Sequence, residues 1–249
     1  MATTSAPRRT LQSEAFALGE LAQLMADPVN YGFGVPRGDG RYVLVLPGMF
    51  ASDTYLYPIR AWLDRIGYRA VRSTLMSNIG CPERLTRQIE AEIASKLDRS
   101  DRPVALIGHS RGGLLARAIA VRLGERASHL VLLGSPVSAL SQLRVGIAPN
   151  AIGVPPVAEM MMESGTRVRE RLDPQCAFPR CGCPFPTDVR AGLHPSTRVV
   201  SIYSLNDPIV PATWAHLKGE RNVEVGGTHS GLVYNGAVYR EIARTLGDR

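Results

Sequence analysis

The chain has 249 residues, of which 45% are hydrophobic and 20% charged, and its formal net charge is +7. Such a composition is typical of a globular protein with an apolar core, and it excludes disordered, collagen-like and coiled-coil proteins. The basic residues are almost all arginines interleaved with acidic residues, as in the stretch 167–171. Nucleic-acid binding requires clustered basic residues, so we expect no nucleic-acid partner.

Residues 1–40 are predicted to form an N-terminal helix followed by a glycine-rich loop. Apolar residues such as Leu21 and Leu24 recur at helical spacing. Glu14 and Glu20 interrupt the apolar stretch, and the apolar region of an export signal should not contain such charges. No segment reaches the roughly 18 consecutive apolar residues of a membrane span. We therefore expect a cytoplasmic protein without a transmembrane segment.

From residue 41 onward, short apolar runs alternate with amphipathic stretches. The runs predict strands at residues 42–46, 68–73, 103–107, 130–133, 199–203 and 223–225. The amphipathic stretches predict helices at 53–66, with Asp53 as its cap, and at 82–97, 112–123 and 234–246. This alternation predicts an α/β fold, with a mainly parallel sheet of about six strands flanked by helices. The length fits a single domain over residues 1–249.

Residues 138–195 interrupt the alternation and are too long for a simple connection. We predict that they form a cap or lid insertion after the fourth strand, over one end of the sheet. Met160 and Met161 belong to a methionine run within it. Methionine adapts to irregular apolar ligands, so both are candidate substrate-binding residues. The alternative, which we weigh equally, is the packed underside of a helix.

Three cysteines lie close together in this insertion, at Cys176, Cys181 and Cys183. Reduced thiols are the default expectation. A local disulfide between two of the three is an alternative. A metal site is another, with His194 or Cys81 as the fourth ligand, although the spacing is not a standard zinc pattern. We expect no metal ion.

The motif Gly-His-Ser-Arg-Gly at residues 108–112 follows a predicted strand and precedes a predicted helix. In this setting a G-x-S-x-G motif forms a sharp turn that exposes the serine hydroxyl. Larger side chains at Gly108 and Gly112 would collide with neighbouring backbone. Ser110 is therefore the candidate nucleophile. The alternative is an ordinary strand-to-helix turn.

A serine hydroxyl requires a base, and hydrolases with such a turn carry the serine, the acid and the histidine in that chain order. His229 follows the last predicted strand and is the histidine that best fits this order. Asp207 lies just beyond the fifth predicted strand, where a carboxylate can orient the imidazole. The alternatives are a surface histidine, a turn-forming aspartate and the rival acid Asp188. His109, beside the serine, is expected to be packed away from it.

Two backbone N–H groups are expected to hold an oxyanion. The N–H of Arg111 begins the helix after the serine, where the helix dipole is positive. Met49 follows the first strand and supplies the second candidate N–H. The N–H of Phe50, the next residue, is the alternative donor, and we also count Phe50 among the candidate substrate-binding residues.

Five segments stand together in one order: LPGMF, GHSRGGLLAR, LGSP, IYSLNDPIVP and GGTHSGL. In this order they resemble the α/β-hydrolase superfamily, and within it lipase- and esterase-like enzymes of a bacterial subgroup. The resemblance covers roughly residues 41–246. It implies the α/β-hydrolase fold, a Ser-Asp-His triad and no cofactor. The Pro-Gly at residues 47–48 stands where many relatives have His-Gly.

These residues predict a serine-dependent carboxylic ester hydrolase that works through an acyl-enzyme. Its expected substrate is a small-molecule ester or lipid-like compound with an apolar acyl group. One alternative is an acyltransferase with the same triad. Another is a catalytically inactive lipid-binding protein on the same scaffold. The sequence carries no signal for an oligomeric state.

Overall fold

A computed structural model describes residues 17–142, 155–178 and 182–248. Within them, one sheet contains the strands β1 (Tyr42–Leu46), β2 (Arg69–Arg72), β3 (Val104–His109), β4 (Ala127–Leu133), β5 (Arg198–Ser204) and β6 (Arg221–Val225). Their order in the sheet is β2-β1-β3-β4-β5-β6. All neighbouring strands are parallel, which confirms the predicted sheet.

Helices cover both faces of this sheet. In the described ranges they are α1 (Ala17–Ala26), α2 (Tyr57–Arg65), α3 (Pro82–Leu97), α4 (Arg111–Leu123), α5 (Val137–Gln142), α6 (Pro156–Leu172), α7 (Phe185–Arg190), α8 (Ala212–Ala215) and α9 (Gly236–Gly247). Successive side chains of a strand point to opposite faces, so β1 contributes to two separate cores. Val43 packs in one core with α2 and α9, whereas Leu44 packs in the other with α3 and α4.

The prediction for the second helix is wrong at its start. Helix α2 begins at Tyr57, and Leu56 at its N-cap makes no side-chain cap bond. Asp53 is not the cap, because its Oδ1 accepts hydrogen bonds from the N–H and hydroxyl of Ser73. Its carboxylate also lies 3.4 Å from Arg60. These contacts with Ser73 and Arg60 hold Asp53 in the turn before the helix.

The last predicted helix also begins later than expected. Residues Ser230–Tyr234 form a 3₁₀ turn, and helix α9 starts at Gly236. The side chain of Asn235 accepts from the N–H groups of Ala237 and Val238, so it caps the helix.

The described part of the predicted insertion contains helices that were not predicted from the sequence. Helix α7 is fastened to α4 through two arginines. Arg117 donates to the carbonyl oxygen of Val189 at 2.6 Å, and Arg122 pairs with Asp188 at 2.7 Å. Residues 143–154 and 179–181 lie outside the described residues, so the cap as a whole stays a prediction.

The cysteines are not three reduced thiols. Cys183 is disulfide-bonded, whereas Cys81 and Cys176 are free. Cys181 lies outside the described residues, as do Glu14 and the beginning of the predicted first helix. The described residues hold no cluster of three side chains suited to a metal ion. None of the described helices is long and apolar enough to cross a membrane.

Candidate active site

The strand order changes direction beside β1, since β2 lies on one side of it and β3 to β6 on the other. In open parallel sheets, ligands bind outside the carboxyl ends of the strands at such a point. The loop after β1 carries Met49, and the turn after β3 carries Ser110. A ligand site is therefore expected in the crevice at the carboxyl ends of β1 and β3.

Ser110 stands on a strained turn between β3 and α4, with φ 54° and ψ −126°. A non-glycine residue at positive φ is uncommon and marks a position held by its surroundings. The turn is tight because a Cβ at Gly108 would lie 2.4 Å from the Cα of Gly113. A Cβ at Gly112 would lie 2.4 Å from the carbonyl oxygen of Leu46. Glycine is thus required at both positions that flank the serine.

Asp207 and His229 meet at the same edge of the sheet, at the ends of β5 and β6. The Nδ1 atom of His229 lies 2.6 Å from Oδ2 of Asp207, and both residues are at least 97% buried. The other oxygen, Oδ1, accepts from the N–H groups of Ile209 and Val210 at 2.8 Å. The carboxylate can only accept, so Nδ1 carries the proton and Nε2 is the basic nitrogen.

The loop after β4 brings these groups beside the serine turn. Ser110 donates its backbone N–H to the carbonyl of Leu133, at the end of β4. The next residue is Gly134, where a Cβ would lie 3.1 Å from Asp207 and 3.3 Å from Nδ1 of His229. The structure thus brings Ser110, Asp207 and His229 to one edge of the sheet.

His109 lies behind His229, and the two rings are 4.8 Å apart. Its Nε2 donates to the backbone carbonyl of His229 at 3.0 Å. Burial lowers the pKa of His109 to about 3, so the ring is neutral at physiological pH. It therefore helps to hold the His229 loop, a role for which no sequence motif gave a signal.

Two further residues support this loop and were not found from the sequence. Glu20 of α1 accepts from the N–H of Thr228 at 2.8 Å and from its hydroxyl at 2.6 Å. Tyr55 donates its hydroxyl to the carbonyl of Ser230 at 2.5 Å. The residues on both sides of His229 are therefore held by groups from distant segments.

The loop after β1 is held by Asn78 and by the side chain of Arg111. Asn78 donates to the carbonyl of Pro47 at 2.7 Å and forms a β-bridge with Met49. Arg111 donates to the backbone and side-chain oxygens of Asn78, each at 2.7 Å, and to the carbonyl of Gly80 at 2.8 Å. The two segments expected to supply oxyanion donors are thus linked to each other.

A cavity of about 230 Å³ opens at Ser110. Its lining is predominantly apolar and comes from the loops and helices that follow β1 to β5, including the predicted insertion. It includes Met49, Ile79, Leu114, Ala139, Ala158, Met161, Met162, Phe178, Phe185, Ile209, Val210 and Trp214. Of the candidate substrate-binding residues, Met161 lines the cavity, whereas Met160 and Phe50 are 50% and 45% exposed and do not.

No protein-family model matches the chain, and no curated protein matches it. Solved structures do. An alpha/beta superfamily hydrolase from Oenococcus oeni PSU-1 is 14% identical, with a TM-score of 0.57 over 85% of this chain and 94% of that chain. The type II thioesterase BorB of the borrelidin biosynthetic cluster is 21% identical, with a TM-score of 0.52 over 86% and 94%.

A third similar structure is a mutant of polyneuridine aldehyde esterase. It is 14% identical, with a TM-score of 0.51 over 84% of this chain and all of that chain. At such low identity these likenesses show the fold alone. The chain has the α/β-hydrolase fold, which confirms the expectation raised by the sequence motifs.

Proposed function

We propose that this protein is a serine-dependent carboxylic ester hydrolase, with Ser110 as nucleophile, His229 as base and Asp207 as the acid that orients the base. One observation carries the proposal: the buried 2.6 Å hydrogen bond between His229 and Asp207, at the edge that also bears the strained Ser110 turn. Structural neighbours that are named as an esterase and a thioesterase support the same class of reaction.

In the proposed reaction, the Ser110 hydroxyl attacks the ester carbonyl while Nε2 of His229 takes its proton. The backbone N–H groups of Arg111 and Met49 stabilise the resulting oxyanion. The imidazolium then protonates the leaving alcohol, and the C–O bond to it breaks, which leaves an acyl-enzyme. Water attacks this ester with His229 again as the base, so the acid is released and Ser110 regains its proton.

The cavity supports an acyl group of moderate size as the substrate portion held beside Ser110. Its walls include Met161, Met162 and Met49, whose flexible side chains adapt to apolar chains of different shape. We therefore expect p-nitrophenyl esters to show an optimum of chain length in kcat/KM. Activity should decline once the acyl chain exceeds the cavity.

The test is labelling with a fluorescent fluorophosphonate, which reacts with activated serines. Wild type and Ser100→Ala should be labelled, because Ser100 lies in a turn after α3 and serves as the matched control. Ser110→Ala should lose both labelling and ester turnover. Absence of labelling and turnover in folded wild-type protein would overturn the proposal, as would undiminished labelling of Ser110→Ala.

A further inference from the structure

Two arginines line the predominantly apolar cavity beside Ser110. They are Arg111, directly after the serine, and Arg169 on helix α6. No aspartate or glutamate occurs among the described residues that line it. A cavity built only for a neutral apolar chain gains nothing from two guanidinium groups.

Arg169 is only 8% exposed, and its Nε atom is buried with no hydrogen-bond partner among the described residues. Its Nη1 donates to the backbone carbonyl of Phe178. The nearest acid is Glu170, 3.6 Å from Nη2, and the Glu170 side chain is 62% exposed to solvent. An exposed partner at that distance compensates a buried charge poorly.

Among the described residues, the side chain of Arg111 donates to neutral partners, namely the oxygens of Asn78 and Gly80. Burial lowers the pKa of Arg111 to about 10, with a smaller contribution from the positive charge of Arg169, so the two cations act on each other. Arg111 still carries its proton at neutral pH. Burial also raises the pKa of the neighbouring Cys176, whose thiol therefore remains neutral and offers no negative charge.

A buried cation without an opposite charge is costly, whereas a carboxylate can satisfy guanidinium N–H groups with charge-assisted hydrogen bonds. We propose that the cavity accepts an ester whose acyl chain carries a second, free carboxylate, held by Arg169 and Arg111, so that the substrate is a half-ester of a dicarboxylic acid. This inference rests on the proposed ester hydrolysis at Ser110. The apolar walls would enclose the methylene chain between the two ends.

The test compares p-nitrophenyl half-esters of succinate, glutarate, adipate and suberate with the same compounds capped as methyl esters. In wild type the best anionic ester should exceed its capped partner by about tenfold or more in kcat/KM, the effect of one charge-assisted hydrogen bond. Arg169→Gln should bring this ratio close to one, and Arg169→Lys should retain part of the preference for the anionic ester. Arg167→Gln, on the exposed side of the same helix, should leave the ratio unchanged.

Binding without chemistry separates this inference from the triad. Free adipate should raise the thermal unfolding temperature of Ser110→Ala, and it should not do so when Arg169→Gln is added. If adipate stabilises Ser110→Ala through Arg169 but wild type is not labelled by the fluorophosphonate, the anion site is supported and the hydrolase proposal fails. Two results would overturn the anion site. One is a wild type that is labelled and active but shows no preference for the anionic ester. The other is a preference that both Arg169→Gln and Arg169→Lys retain.

Discussion

Glu20 of helix α1 and Thr228 of the loop after β6 are joined by two hydrogen bonds, although 208 residues separate them in the chain. The Glu20 carboxylate accepts both from the backbone N–H and from the hydroxyl of Thr228. The same hydroxyl oxygen accepts from the N–H of Gly231 at 3.0 Å. His229 lies between these anchored residues, so the position of the proposed base depends on the first helix.

We therefore predict that Glu20→Ala lowers kcat for p-nitrophenyl esters by about tenfold to a hundredfold, since a displacement near 1 Å has effects of that order. KM should change little, because Glu20 does not line the cavity. Glu20→Gln should restore most of kcat, because its amide can accept from the N–H and donate to the hydroxyl oxygen. Equal kcat in wild type and Glu20→Ala would contradict the positioning role.

Asp207→Asn should separate orientation of the base from support of the loop. An asparagine oxygen can still accept from the N–H groups of Ile209 and Val210. Its NH₂ group would face Nδ1 of His229 and favour the wrong tautomer. We expect kcat to fall by about 10⁴-fold, as in serine proteases with this change. Urea unfolding should show that the variant stays folded, and near wild-type turnover would exclude Asp207 from the triad.

Asn78 should contribute to stabilisation of the oxyanion, because it holds the loop after β1 that carries Met49. Asn78→Ala removes the donor to Pro47 and the side-chain oxygen that accepts from Arg111. The backbone acceptor of Arg111 remains, so the loss there concerns only the side-chain oxygen. We expect kcat to fall by about tenfold, as a smaller effect than loss of an oxyanion donor itself. Affinity for a boronic acid inhibitor should fall in parallel, and an unchanged affinity would refute the link.

Acid should destabilise the fold through His109. Its pKa of about 3 in the folded protein lies below the roughly 6.5 of an unfolded chain. Between these values the unfolded chain binds the proton and the folded protein does not, so stability is present above pH 6.5 and is lost as the pH falls toward 3. The slope should approach about 1.4 kcal/mol per pH unit for this residue.

His129, with a folded pKa of about 4, adds to the loss in the same direction. The measurement is urea unfolding at a series of pH values across this window. His109→Gln should reduce the slope, and His194→Gln, which removes an exposed histidine, is the control. A slope that is the same in wild type and His109→Gln would show that another group dominates acid unfolding.

Local patterns in the sequence were sufficient for the parallel sheet and for the turn at Ser110. Strand β1 and helix α3 have the predicted bounds, because an apolar run and a four-residue repeat are properties of neighbouring residues. The chain order of serine, acid and histidine was likewise readable, and it led to the pair Asp207 and His229 that the fold brings within 2.6 Å.

The supports of the site depend on the tertiary structure. The sequence pattern indicated only that Glu20 interrupts an apolar stretch and that Asp53 caps a helix. In the structure both side chains bind residues of distant segments. Met160 and Met161 were equivalent in sequence, but only Met161 lines the cavity. Contacts between remote segments have no period along the chain. Among the described residues, the Nε atom of Arg169 lacks a hydrogen-bond partner because folding removes it from water.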